Sequence, residues 1–250
     1  MNTDHETRAT SYAVLTQWEP VQSLLEIKRS EFIAFAQRVE SEADARAFIE
    51  SLRKQYHDAR HVCSAFVIGA DRDIQRSSDD GEPAGTAGIP MLQAVLARRT
   101  DPDSEASSTN LSDICVVVVR YFGGIKLGAG GLVRAYTDAV VQVLDEATTT
   151  QRRRLRAGVV KLPHAEAGKF ENEVRSLGFT IISVDYFASH AVVTLGVFDS
   201  PATRNEAKTK VAELTMGKGE ISWGETSWVM SQPLPEEAAA AGSPRPAPAS

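Results

Sequence analysis

The run ICVVVV, from Ile114 to Val119, is apolar at every position and is bounded by Asp113 and Arg120. Successive side chains of a strand point to opposite faces, so a strand without alternation must be covered on both. The run predicts a central strand between two layers and argues against a sheet with one wet face. RYFGGIKLGAGG follows at 120–131 and holds five glycines. Beyond it, LVRAYTDAVVQVLDEAT places Leu132, Ala135, Tyr136, Ala139, Val140, Val143 and Leu144 at helical spacing. That is the pattern of an amphipathic helix packed on the sheet.

A strand that passes through bare backbone into a helix is a common place to hold phosphate, because exposed amides and a helix N-terminus both favour an anion. The two nucleotide motifs of this kind are absent. Gly123 and Gly128 have the phosphate-loop separation, but Ala129 and Gly130 stand where Lys and Ser/Thr are required. Gly128 and Gly130 begin a dinucleotide fingerprint that Val133 breaks. A generic anion nest remains: Gly123, Gly124, Gly128, Gly130 and Gly131, with Arg120, Lys126 and Arg134 beside them. Tyr121 or Phe122 would stack on a base if exposed. The competing account is that the glycines permit positive φ and close packing, while the aromatics finish a core.

Two further stretches carry candidate chemistry. SSDDGEPAGTAG crowds Asp79, Asp80 and Glu82 within four positions. Crowded carboxylates hold a divalent ion or shift one another for acid–base work. They equally form an Asp-Gly turn with solvated acids, with Thr86 capping the next helix. The spacing is not that of a calcium loop and no histidine sits in it, so no metal is expected. HDARHVC brings His57, His61 and Cys63 close in sequence, a conceivable Cys–His pair. Yet Val62, Ser64 and Phe66 alternate with His61, Cys63 and Ala65 as in an ordinary strand, and Asp58–Arg60 separates the histidines.

The chain has 250 residues, 42% of them hydrophobic, enough for one sizeable core or two smaller ones. Its net charge of -6 excludes a surface that grips nucleic acid everywhere and leaves only a local basic stripe for that purpose. The two cysteines, Cys63 and Cys115, lie in apolar runs without ligand or redox spacing and read as buried thiols. MNTDHETRAT is too polar for a signal peptide, and no apolar stretch approaches the roughly 20 residues that span a bilayer. A cytoplasmic chain without a membrane segment or cofactor is expected.

Residues 1–10 and 231–250 read as disordered, the second stretch from its proline, alanine and small polar residues. YAVLTQW and SLLEIKRSEFIAFAQRV read as strands, and SEADARAFIESLRKQYHDA as a helix capped by Ser41 with Asp44 three residues on. HVCSAFVIG and RDIQRSS form a hairpin across Ala70–Arg72, and IPMLQAVLARR forms a helix with Pro90 in its first turn. Residues 100–112 read as loop. QRRRLR at Gln151 reads as a linker or as the lead-in to a second domain. The order beyond it is strand (Ala157–Leu162), helix (Ala165–Leu177), two strands (Phe179–Phe187, Ala191–Phe198), helix (Pro201–Leu214) and strand (Glu220–Trp228). This βαββαβ order is the split βαβ arrangement of ferredoxin-like domains. The class is α+β, with domains at 11–150 and 151–230.

KRSEF at Lys28, HVCSAF at His61, SDDGEPAGTAG at Ser78 and VVVVRYFGGIKLGAGGLVRAY at Val116 together resemble the YigZ/IMPACT family, over roughly residues 20–225. The resemblance implies an N-terminal ribosomal-protein-like α/β domain with a mostly antiparallel sheet, of a superfamily that includes small-molecule kinases and part of elongation factor G. It implies a C-terminal ferredoxin-like domain similar to those of elongation factor G. Eukaryotic relatives regulate translation by competing for a ribosome-associated activator of an initiation-factor kinase. The chain departs from the usual pattern at Ala84, where serine is common, and at Val62 and Ser64, where asparagine and an aromatic are common.

The expectation that follows is a non-catalytic binding protein of the translation apparatus that contacts RNA or a ribosome-associated partner. Its ligand-binding residues would be Arg120, Tyr121, Phe122, Gly123, Gly124, Lys126, Gly128, Gly130, Gly131 and Arg134. The rival is an enzyme on a small phosphorylated or acidic metabolite, with Asp79, Asp80 or Glu82 as base or metal ligand and the acidic and glycine loops facing each other across one cleft.

Overall fold

The structure, a computed structural model, describes residues 9–100 and 108–230. The disorder expected at 231–250, most of that expected at 1–10, and much of the 100–112 loop lie outside the described residues. Ala9 is tied down by its N–H, which donates to Asp71 Oδ1 at 2.8 Å. The chain divides into two compact units at Arg152/Arg153. Both are mixed α/β, and every strand pairing given a register is antiparallel.

The first unit holds β1 (Ser11–Leu15), β2 (Val21–Ile27), β3 (Ser30–Arg38), α1 (Glu42–Gln55), β4 (His61–Ile68), β5 (Ile74–Ser78), α2 (Gly88–Ala97), β6 (Ile114–Tyr121) and α3 (Gly128–Glu146). Its main sheet runs β2-β3-β6-β4-β5, which puts the unbroken apolar strand in the middle. Ile114, Val116 and Val118 face a core completed by Met91 and Val95 of α2 and by Leu132, Tyr136 and Val140 of α3. Cys115, Val117 and Val119 face the other way, against Ala45, Phe48 and Leu52 of α1. β4 alternates as its sequence required: Cys63, Ala65 and Val67 on the α2–α3 side, Val62, Phe66 and Ile68 on the α1 side. Both cysteines are buried free thiols.

Ser41 caps α1, its Oγ accepting from Asp44 N–H at 3.1 Å. Lys28 and Arg29 form the two-residue turn between β2 and β3, at φ +50° and +64°. These angles are those of the primed turn that matches strand twist. α3 starts earlier than its apolar pattern, at Gly128, so three of the five glycines are helical rather than loop.

β7 (Thr149–Leu162) starts before the unit boundary and runs across it, so QRRRLR is not a linker but the strand that leads into the second unit. β1 pairs with β7, and Thr16 N–H donates to Thr148 O at 2.9 Å. The arginines are sustained in a strand because carboxylates meet them. Arg152 lies 3.2 Å from Glu40 and 3.3 Å from Asp113, and Arg156 Nε lies 2.7 Å from Asp199.

The second unit continues β7 into α4 (His164–Ser176), β8 (Thr180–Tyr186), β9 (Ala191–Phe198), α5 (Pro201–Leu214) and β10 (Ile221–Met230). Its strand order is β10-β7-β9-β8. Phe170 and Val174 of α4 and Ala207 and Val211 of α5 pack on Val160, Val193, Leu195 and Val197 of the sheet. Among the described residues no helix is long and apolar enough to cross a membrane.

Candidate functional site

The two sequence motifs come together at one end of the first unit. β6 delivers Arg120 at its last turn of pleat, directly opposite His61 at the start of β4. The acidic loop folds back over this pair. Glu82 is buried, and its Oε1 accepts from Arg120 Nη1 at 2.5 Å and from the Tyr136 hydroxyl at 2.9 Å. His61 Nε2 stands 4.0 Å from the same oxygen, while His61 Nδ1 meets Asp80 O at 2.9 Å. Below them the Cys63 thiol donates to Asp79 O at 3.0 Å and to Tyr136 Oη at 3.3 Å. Burial pushes the Cys63 thiol up to about 12 and raises the Tyr136 hydroxyl far above its ordinary range. A thiol so placed stays protonated, which removes the Cys–His nucleophile reading. His57 falls outside both α1 and β4, apart from His61.

The other two acids also hold the loop. Asp79 accepts three amides: Gly85 at 2.8 Å, Ala87 at 3.0 Å and Gly88 at 2.8 Å. Burial raises its carboxyl, but these three bonds outweigh burial and hold it below the usual carboxylate value. Two of the amides are orphan donors at the start of α2, so Asp79 supplies the cap expected of Thr86. The Thr86 hydroxyl donates instead to Pro83 O at 2.6 Å. Asp80 ties the loop to two elements: it accepts from Val62 N–H of β4 at 2.7 Å and from Arg53 of α1 at 2.8 Å. Among the described residues no group of three or more His, Cys, Asp or Glu is placed to hold a metal ion.

The glycine loop divides by physical role. Gly123 approaches the β2–β3 turn so closely that a Cβ there would lie 2.0 Å from the Arg29 carbonyl carbon and oxygen. Its N–H donates to Ser30 Oγ at 3.2 Å. Gly124 and Gly128 take φ of +85° and +74°. Gly130 and Gly131 lie in the first turn of α3, and nothing stands within 4 Å of a Cβ at Gly130. No side chain caps that turn, and Gly128, Ala129 and Gly130 are exposed.

The flanking side chains differ as much. Arg120 is 7% exposed at its side chain and pairs with Glu82, so it faces the interior rather than a ligand phosphate. Its guanidinium lies 5.3 Å from the Phe32 ring centre and 5.7 Å from that of Phe122. Phe122 is 48% exposed. Tyr121 turns its hydroxyl to Asp58 Oδ1 at 2.8 Å, and this bond pushes it up to about 12. Lys126 is exposed, and Arg134 is 84% exposed with a 3.4 Å contact to Asp138. Sequence reasoning placed Tyr136 in the core and missed its polar role. The signal was one hydroxyl among otherwise aliphatic buried positions of α3, which must find a partner.

The Impact N-terminal domain family matches residues 28–144, the span that carries all of these residues. The IMPACT family member YvyE of Bacillus subtilis (strain 168) is 39% identical over 203 residues, covering 81% of this chain and 87% of that protein. The chain belongs to the IMPACT family. A second IMPACT family member, YigZ of Escherichia coli (strain K12), is 38% identical over 200 residues, covering 79% of this chain and 91% of its own length. A solved crystal structure of a hypothetical protein shares 34% identity at a TM-score of 0.53, covering 86% of this chain and 98% of that one. The IMPACT-type span therefore contains both the buried Glu82–Arg120–Tyr136 cluster and the exposed start of α3.

Proposed function

We propose that this IMPACT family member is a non-catalytic binding protein of the translation apparatus that contacts RNA phosphate through the loop 122–127 and the first turn of α3. The observation that carries the proposal is the uncapped, exposed GAGG turn with Lys126 before it and Arg134 one turn on. Helix amides left without partners favour an anion, and the two cations raise its local concentration. Phe122, half exposed, supplies a ring face beside them. Arg120 serves here as support, behind Phe122 and against Glu82, in place of the direct phosphate contact expected of it.

Engagement of Asp79, Asp80 and Glu82 by amides, arginines and Tyr136 favours binding over catalysis, since a general base or metal ligand needs a free oxygen and a reachable partner. The translational setting rests on what the family resemblance implies. In the same scheme, 11–150 is the IMPACT-type domain and 151–230 a ferredoxin-like one. The β10-β7-β9-β8 order, with α4 and α5 on one face, supports the second assignment.

Salt titration of a single-stranded RNA oligonucleotide tests the proposal. Affinity is expected to fall linearly in log–log form with salt, and Lys126→Ala should lower the slope by about 1. Absence of binding at low salt, or a slope unchanged in Lys126→Ala, removes phosphate recognition. Copurification of a ribosome-associated protein in an RNA-independent manner would assign the surface to that partner instead.

A further inference from the structure

The turn between β2 and β3 carries residues that its geometry disfavours. Lys28 and Arg29 lie at φ +50° and +64°, the only consecutive non-glycine pair at positive φ among the described residues. A primed turn of this kind favours Asn-Gly, because a long side chain is crowded in the left-handed region. Such strain persists where something other than local stability requires the side chains. Both are exposed, and neither forms an ion pair or hydrogen bond with another described residue. Glu26 and Glu31, which stand opposite each other on the flanking strands, leave the two cations unpaired.

The turn is also fixed in place. Glu31 of β3 stands opposite Tyr121 of β6, so the turn and the loop 122–127 leave the same end of the sheet. Gly123 packs on the Arg29 main chain, and its N–H donates to Ser30 Oγ. Its neighbour Phe122 has the Arg120 guanidinium 5.7 Å from its ring centre, and Glu82 holds that guanidinium in turn. A buried ion pair therefore backs the half-exposed ring. Two unpaired cations stand on one side of it, and Lys126 and the open turn of α3 follow on the other.

We propose that Lys28 and Arg29 form a second phosphate clamp, so that the site takes an unpaired stretch of RNA. A base stacks on Phe122, with one flanking phosphate on the dibasic turn and the other on Lys126 and the first turn of α3. This rests on the RNA reading above and adds the path of the strand. A duplex keeps its bases stacked on one another and has none to offer the ring. Inorganic tripolyphosphate would use the cations and leave the ring idle.

The test gives the turn the residues its geometry prefers. Lys28→Asn/Arg29→Gly removes both charges and should leave the melting temperature equal or higher, so lost folding cannot account for lost binding. With a labelled oligouridine of about ten nucleotides, the salt slope should fall by about 1.4, roughly 0.7 for each phosphate contact of a single strand. Lys28→Gln/Arg29→Gln, which keeps the side-chain length, should lower it equally. Phe122→Leu keeps an apolar cover on Arg120, and should weaken the oligonucleotide at least about 5-fold while leaving tripolyphosphate binding unchanged. An unchanged slope in both double variants, where binding still depends on Lys126, overturns the clamp and leaves the RNA reading standing. Absence of RNA binding by the unsubstituted chain overturns both. Equal affinity for a perfect duplex or an abasic strand overturns the stacked base, and with it the proposal.

Discussion

Gly123 is fixed by contact with a neighbouring backbone. A Cβ 2.0 Å from the Arg29 carbonyl cannot be relieved by a rotamer change, because the obstructing atoms are main chain. Gly123→Ala should therefore destabilise the first unit by about 2–3 kcal/mol, read as a lowered denaturation midpoint. Gly130→Ala meets nothing within 4 Å and should leave stability equal or slightly higher, since alanine suits a helix better. The pair separates packing glycines from those that expose backbone, a distinction the spacing of RYFGGIKLGAGG does not encode. The thiols are a second case at this scale. Cys63 is held near 12 by burial and Cys115 is raised by burial alone, so neither should react with an alkylating reagent at pH 8 until the chain unfolds. Labelling followed by mass measurement checks this, and fast labelling of the folded chain would contradict the buried network at Tyr136.

At the scale of elements, the acidic loop works as a clasp. Asp79 caps α2, Asp80 binds β4 to α1, and Glu82 closes over β6 and α3. The Asp79 carboxyl lies below its unfolded value of 3.8, so its stabilisation is complete above that pH and is lost as pH falls through the lower folded value. Asp79→Asn should remove about 1 kcal/mol at neutral pH and flatten the decline in stability below pH 3.8, followed by acid titration of unfolding. Sequence spacing assigned that cap to Thr86, one residue before the N-cap position. It misassigned it because the true cap arrives from eight residues upstream, through a loop closure that only the packed fold creates. β7 failed to show in QRRRLR for a related reason. Arginine stems pack against a sheet while the charges reach Glu40, Asp113 and Asp199, all distant in sequence. The central strand and α3 were legible, because complete burial and helical periodicity are local properties of composition.

In the whole molecule, two units each hold a core of their own: the first around β6, the second around Val193 and Leu195. Leu195→Ala should cost about 3 kcal/mol within the second unit. Calorimetry should show one transition lowered and the other unmoved, whereas a shared shift of both would mean that the units unfold as one. Each level of this architecture has a different origin. The sequence alone determined the central strand, the amphipathic helices, the βαββαβ order and the family, because burial pattern and motif identity are written in consecutive residues. The tertiary structure decided which glycines pack and which bare their amides, that Arg120 faces Glu82 instead of solvent, and that three crowded acids form a clasp. Those outcomes depend on desolvation and on partners distant in sequence, as with Asp80 to Val62, 18 residues apart, Tyr136 to Glu82, 54 apart, and Gly123 to Ser30, 93 apart. Such meetings have no signature in spacing, since the chain has to fold before the groups share a low-dielectric space.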